Sequence, residues 1–241
     1  MTERAAYLLH LEHAPYGPTE ALQERLVVAR QAGAIPDGLL LLEHAPVITL
    51  GRRADSGHIL APPEVLAREG IEVRRTERGG DVTYHGPGQL VGYPIVGLRD
   101  LGLGASDYMH TLEEALIGAL ADFGLAAGRR EGIIGVWVGR NKIAALGVRI
   151  KRGVAYHGVA LNVRANMRHW ATILACGITD GGVTSMHLEM PSAPTMAEVR
   201  ERLAHHLGRV LGLRFRETTL EELDKRVDGR DGTHGARGDE G

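Results

Sequence analysis

Cysteine is nearly absent from this chain of 241 residues: Cys176 stands alone. That excludes an intramolecular disulfide framework and any paired-cysteine redox or zinc motif. Aromatic residues are scarce too, at 4%, too few for a platform that stacks single-stranded nucleic acid. Neither sign of charge is in excess. The 28 basic and 30 acidic residues leave a formal charge of −2, so the basic footprint of a nucleic-acid partner is missing. No stretch approaches a membrane span, and the first 17 residues hold no apolar core of signal-peptide length. These absences predict a cytoplasmic protein with no nucleic-acid or membrane partner.

Familiar cofactor motifs are missing as well. No GxGxxG opens a helix after a strand, LGLGAS (101–106) being only a fragment of one, and no GxxxxGK[ST] occurs. HExxH and GxSxG are absent, and the 12 histidines are scattered without ligand spacing, so no metal site is expected. Lysine is rare. Only Lys142, Lys151 and Lys225 occur, and the other 25 basic residues are arginine. Arginine cannot release its proton, whereas a buried lysine can, so each lysine is a candidate for a task closed to arginine.

What the chain does have is glycine: 33 residues, about 14% against an average near 7%. Many fall inside apolar segments, where they permit close approach of the backbone to something bound. Four segments predict helices. Gly17-Pro18 opens one that closes at Gly33, and Ser106 to Phe123 carries leucines at helical spacing. Thr195 with Glu198, and Thr219 with Glu222, form capping-box patterns before two more. Short apolar runs at 39–44, 47–50 and 71–75 predict strands, and 133–163 predicts a three-strand meander. Helices mixed with antiparallel strands predict an α+β domain. Residues 1–226 are expected to form that one domain. Residues 227–241, with glycine at every third position from Gly229 to Gly241, are expected to be a flexible polar tail.

Three segments could carry chemistry. RGGDVTYHGPGQLVGYPI, from Arg78, makes a glycine-lined wall around a strand bearing Tyr84 and His85. Lys142 begins a strand on whose side Ala144, Leu146, Val148 and Ile150 follow. It either sits in a low-dielectric site that depresses its pKa or snorkels to solvent. LACGITDGGVTSM places Cys176 in a glycine-rich loop, as a small buried hydrophobe or as a nucleophile. A thiol of ordinary pKa, about 8.5, is only a few per cent thiolate at pH 7, so a catalytic Cys176 needs a cation or base beside it. His157, sharing a strand side with Val159 and Leu161, reads as a satisfied core histidine. Arg74, Arg75 and Arg78 are a candidate basic rim.

Those three segments, with GVWVGRNKIAALGVRI and HGVALNV in the second, resemble the signature blocks of the lipoyl(octanoyl) transferases, in order, from LEHAPVITLGRRAD to Ser185. The resemblance implies the catalytic fold of the lipoate and biotin protein ligases, with mixed, largely antiparallel sheets flanked by helices. It implies Cys176 as the nucleophile and Lys142 as its partner. Substrate contacts are implied at Arg78, Gly79, Gly80, Asp81, Val82, Thr83, Tyr84 and His85, at Ala145, Leu146 and Gly147, and at Gly158, Val159 and Ala160. The implied donor is octanoyl-acyl carrier protein. The implied acceptors are lipoyl domains of the acyltransferase (E2) subunits of 2-oxoacid dehydrogenases and the H protein of the glycine cleavage system. No cofactor is implied, because the acyl group arrives activated. Two departures stand out: Ala175 replaces the usual proline before the cysteine, and ITDGG varies after it. The alternatives are an ATP-dependent lipoate or biotin-type ligase, a non-catalytic protein that binds acyl-carrier or lipoyl domains, and a cysteine hydrolase.

Overall fold

The computed structural model describes residues 3–175 and 181–228. The strands are β1 (Arg4–Ala14), β2 (Gly38–His44), β3 (Val47–Leu50), β4 (Glu72–Arg75), β5 (Val82–His85), β6 (Gln89–Gly97), β7 (Gly128–Arg130), β8 (Ile133–Val138), β9 (Asn141–Lys151), β10 (Val154–Asn162) and β11 (Leu213–Thr218). The helices are α1 (Tyr16–Gln31), α2 (Pro63–Arg68), α3 (Leu98–Leu101), α4 (Ala105–Ala121), α5 (Met167–Trp170), α6 (Met186–Glu189), α7 (Met196–Leu211) and α8 (Leu220–Asp228). Eight strands form one sheet in the order β11-β1-β2-β6-β10-β9-β8-β7, and β4-β3-β5 form a smaller one. Pairing is antiparallel except where β1 meets β2 and β11 and where β3 meets β4. This is the expected mixed, largely antiparallel α+β arrangement.

The large sheet is central because both its faces are apolar. Leu39 and Leu41 of β2 face one layer and Leu40 and Leu42 the other, the period of two that a strand imposes. On the first face lie Leu112, Leu116 and Leu120 of α4 with Val199, Leu203 and Leu207 of α7. On the second lie Leu26 and Val27 of α1 with Leu223 of α8. The leucine stripes read from the sequence are core faces. The Thr195–Glu198 capping box is formed: Thr195 Oγ1 accepts from the Glu198 N–H, and Glu198 accepts from the Thr195 N–H at 2.7 Å. The smaller sheet has its own core, where Ile48, Val82 and Tyr84 pack with Leu66, Trp170 and Ile173.

Two features differ from the sequence reading. β1, eleven residues long, was not among the expected strands, and its parallel pairing on both sides holds it inside the sheet. At the other end α8 continues to Asp228. Residues 227 and 228 therefore belong to a helix, and the rest of the expected tail lies outside the described residues.

The parallel β1–α1–β2 unit is fastened by a buried carboxylate. Asp37, just before β2, accepts from Arg30 Nε at 2.7 Å, from Arg4 Nη2 at 2.5 Å and from the Gly97 N–H at 2.9 Å. One side chain thus joins α1, β1 and β6. Asp37→Ala strands the Gly97 N–H and leaves Arg30 and Arg4 with only their Asp100 contacts, and breaking a buried pair costs roughly 3 kcal/mol. Urea unfolding of the variant is expected to show a loss of that order.

Candidate active site

The site lies where the smaller sheet meets β9 and β10 of the larger one. The 78–81 loop is stapled on both sides. Its Gly79 N–H donates to Val148 O of β9 at 3.0 Å, while Asp81 O, Arg78 O and Gly80 O accept from the N–H groups of Gly51, Arg52 and Arg53. The two backbones come so close that a Cβ on Gly147 would sit 3.0 Å from Gly79 O and 3.3 Å from Arg78 Cδ. Between them is a cavity of about 420 Å³, within the range of small-molecule sites.

Most residues singled out from the sequence come together here. Arg78 to Thr83, His85, Lys142, Ala145 to Gly147 and Gly158 to Ala160 all line the cavity. Tyr84 does not. Strand alternation turns it from Thr83 and His85 into the core of the smaller sheet, where its hydroxyl meets His169 Nδ1 at 2.7 Å. Arg78 is no part of a basic rim. Its buried guanidinium donates to Thr49 Oγ1 and Thr49 O and to the carbonyls of Gly79 and Asp81. Arg74 is exposed and paired with Glu72.

Lys142 is built into the wall. Its N–H donates to Gly182 O at 2.8 Å and its carbonyl accepts from the Thr184 N–H at 2.9 Å, so residues 182–184 extend the sheet alongside it. The pairing of β8 with β9 shifts register between Val136–Ala144 and Trp137–Lys142. Such a bulge re-aims side chains, and Lys142 does not simply continue the row from Ala144 to Ile150. Its Nζ stands 5.3 Å from the centre of the Trp137 ring, a cation–π distance. Cys176 lies outside the described residues. Its neighbour Ala175 lines the same cavity, and Val183, beyond it in the chain, bridges to Lys142.

The end of the cavity away from Lys142 is polar, and the Arg78 guanidinium is close enough to act on its histidines. Tyr16, His85, Tyr93 and His157 line it. The His85 Nδ1–H donates to Gln89 Oε1 at 2.7 Å, because Gln89 Nε2 is committed to Tyr84 O and Asn162 Oδ1. Asn162 Nδ2 in turn donates to Thr184 O, which links His85 to the segment beside Lys142. Burial, together with the cations His44 and Arg78 would present, holds His85 well below the usual histidine range. Burial lowers His44 to about 4 and raises Tyr16 to about 12.

His157 is buried as expected, but it is not satisfied. Neither ring nitrogen has a hydrogen-bond partner among the described residues, and its φ of 57° is rare for a non-glycine residue. The ring packs on Tyr156 and edge-on to Tyr93. Sequence spacing gave the opposite side of the strand because it assumed regular extended backbone. Tyr16, Tyr93, Trp137 and Trp170 also belong to the site and its surroundings; Tyr93 and Trp137 lie within two of the blocks without being singled out, and no local motif marked Tyr16 or Trp170.

The family model described as the lipoyl protein ligase A/B catalytic domain matches residues 15–208. The chain belongs to that family. It is 48% identical over 220 residues to an octanoyltransferase of Acidobacterium capsulatum, covering 85% of this chain and 89% of that one. With an octanoyltransferase of Syntrophobacter fumaroxidans it shares 44% over 221 residues, 92% and 97% of the two chains. Its fold is that of a lipoate-protein ligase A solved with ATP bound, at TM-score 0.74 and 19% identity over 93% of each chain.

The histidine-lined end of the cavity sets a pH dependence. Burial, with Arg78 and Arg149 nearby, lowers His157 to about 3, so between that value and the unfolded pKa near 6.5 the unfolded chain binds more protons. Stability present above about pH 6.5 is lost as pH falls toward 3, at about 1.4 kcal/mol per pKa unit for such a group. His157→Asn, a side chain that tolerates the left-handed backbone, is expected to flatten this slope. Urea unfolding at pH 7, 6, 5 and 4 checks it.

Proposed function

We propose that this chain is an octanoyltransferase of protein lipoylation. It takes the octanoyl group of octanoyl-acyl carrier protein onto Cys176 and passes it to the acceptor lysine of a lipoyl domain. The E2 subunits of 2-oxoacid dehydrogenases and the glycine cleavage H protein are the proposed acceptors, and the cytoplasm is the proposed setting. Relatives named octanoyltransferase over most of the chain support the activity. The observation that carries the mechanism is the placing of Lys142 in the wall of a glycine-lined cavity that Ala175, the neighbour of Cys176, also lines.

In the first half-reaction the Cys176 thiolate attacks the thioester carbonyl, and the carrier's thiol leaves with a proton. In the second, the acceptor amine attacks the acyl-cysteine, loses a proton and releases the Cys176 thiol. Protonated Lys142 favours the Cys176 thiolate and can protonate the leaving thiolate of the carrier. Neutral Lys142 can take the proton of the incoming amine. Arginine could favour the thiolate but neither give nor take a proton. The acyl chain lies between the Gly79–Gly80 and Gly147–Gly158 backbones, with Ala145, Leu146, Val159 and Ala160 as apolar wall. No nucleotide is required, because a thioester is already activated.

Intact-protein mass spectrometry after incubation with octanoyl-acyl carrier protein tests this. Wild type is expected to gain an octanoyl adduct that a lipoyl domain discharges, and Cys176→Ala to gain none. Modification of the acceptor only with ATP and free octanoate would instead make the chain a ligase. Free octanoate released without any acceptor would make it a hydrolase. In single-turnover kinetics Lys142→Arg is expected to retain part of acyl-enzyme formation and to slow discharge about 100-fold, within the range of general acid–base catalysis. Equal rates for both half-reactions in variant and wild type would remove Lys142 from the mechanism.

A further inference from the structure

Glu113 stands out on α4. It sits on the helix face that also carries Leu112 and Leu116, and it is 1% exposed, although glutamates are almost never fully buried unless paired. Its Oε2 accepts from Arg129 Nε at 2.9 Å and His110 Nδ1 at 3.0 Å. Its Oε1 turns inward and accepts from the Gly135 N–H of β8 at 2.9 Å. A strand N–H normally finds its partner in the next strand. Around Gly135 the pairing is irregular on both sides, with register shifts between β7 and β8 and between β8 and β9. The carboxylate takes the place of a ladder carbonyl.

Gly135 is also the seat of the Lys142 side chain. A Cβ built there would lie only 2.4 Å from Lys142 Cε and 3.2 Å from its Nζ, so the lysine stem crosses directly over this α-carbon. Two residues on, Trp137 puts its ring under the ammonium. A φ of 145° at Gly135 is itself a conformation that suits glycine.

We propose that Glu113 is a positioning residue for Lys142, acting through the backbone of Gly135. The proposal rests on the reading that Lys142 serves the reacting thioester. The carboxylate fixes one β8 peptide, that peptide fixes the surface on which the lysine stem lies, and the ammonium is thereby held at the cavity. Arg129 and His110 are the other charged or titratable groups that contact the carboxylate. The contacts join α4 to β7 and β8, so a purely structural role would also destabilise the fold when broken, and the test must read the lysine.

The rate of alkylation of Cys176 by iodoacetamide as a function of pH reports its thiolate. Single-turnover acylation by octanoyl-acyl carrier protein reports its use. Both are measured for wild type, Glu113→Ala, Glu113→Gln, Lys142→Ala and the double variant Glu113→Ala with Lys142→Ala. Glu113→Ala is expected to raise the apparent thiol pKa and slow acylation about tenfold, with carrier binding unchanged. Glutamine, which keeps an oxygen acceptor for the Gly135 N–H, is expected to restore acylation to within about threefold. The double variant is expected to be no slower than Lys142→Ala alone, as for two groups that act as one unit. Wild-type behaviour in Glu113→Ala, or losses that multiply fully in the double variant, would overturn the proposal. If Lys142→Ala itself behaves as wild type, the reading of Lys142 is what fails. Should Glu113→Ala not fold, Gly135→Ala places a methyl on the lysine's path with Glu113 intact. It is expected to slow acylation and raise the thiol pKa, and wild-type values in it would likewise overturn the proposal.

Discussion

Everything at the site depends on two backbones approaching closer than side chains would allow. The hydrogen bond from Gly79 to Val148 ties the smaller sheet's entry loop to a strand of the larger sheet. It can form only because Gly147, next to Val148, presents no Cβ to the Gly79 carbonyl. Were that approach relaxed by one side chain's width, the loop would lift from β9 and the cavity between them would open to solvent. A glycine content twice the average is therefore a geometric requirement here rather than a sign of linkers. The walls are made largely of main chain, which fixes shape without committing to any particular side-chain chemistry.

Such a cavity has two electrostatic ends. At one, Lys142 stands beside the flanks of the Cys176 segment, where the proposed mechanism calls for a cation to favour the thiolate and the oxyanion. At the other, histidines and tyrosines sit in their neutral forms because burial penalises their charged states. Arg78 stands near these rings, but its guanidinium is directed at Thr49 and loop carbonyls, where it organises the wall. On the proposed reading, reaction takes place at the first end and the second faces the uncharged acyl chain.

How much of this was legible in the sequence follows the physics of each element. The helices α1, α4, α7 and α8 were readable because capping residues and leucine stripes are local signals, and the meander because its turns interrupt apolar runs. β1 was not, since its stability comes from parallel partners far away in sequence. The glycine-rich wall was readable as a wall, but the orientation of each residue on it was not: Tyr84 turns away by simple alternation. Lys142 and His157 depart from regular strand geometry, one at a register shift and the other at a positive φ, and alternation fails at such irregularities. That both lie at the cavity agrees with the general tendency of bulges and strained backbone to gather at functional sites.

Fold alone does not choose among the chemistries this architecture can host. A lipoate-protein ligase A that binds ATP has the same fold at 19% identity, and a cavity with main-chain walls is compatible with either activity. The choice falls to a few side chains. A ligase must activate a free acid and needs groups for a nucleotide; a transferase needs a nucleophile and a proton carrier. Against a background in which 25 of 28 basic residues are arginine, a lysine at position 142 is informative because its one advantage over arginine is a releasable proton. That advantage has value only if the ammonium is held in place, since a four-carbon stem left free would sample many rotamers at an entropic cost. In the proposed arrangement Gly135, Trp137 and the buried Glu113 supply that restraint from the side of β8. The same lysine that composition singles out is thus the one beside irregular backbone and shifted register, as the proposed proton transfer calls for.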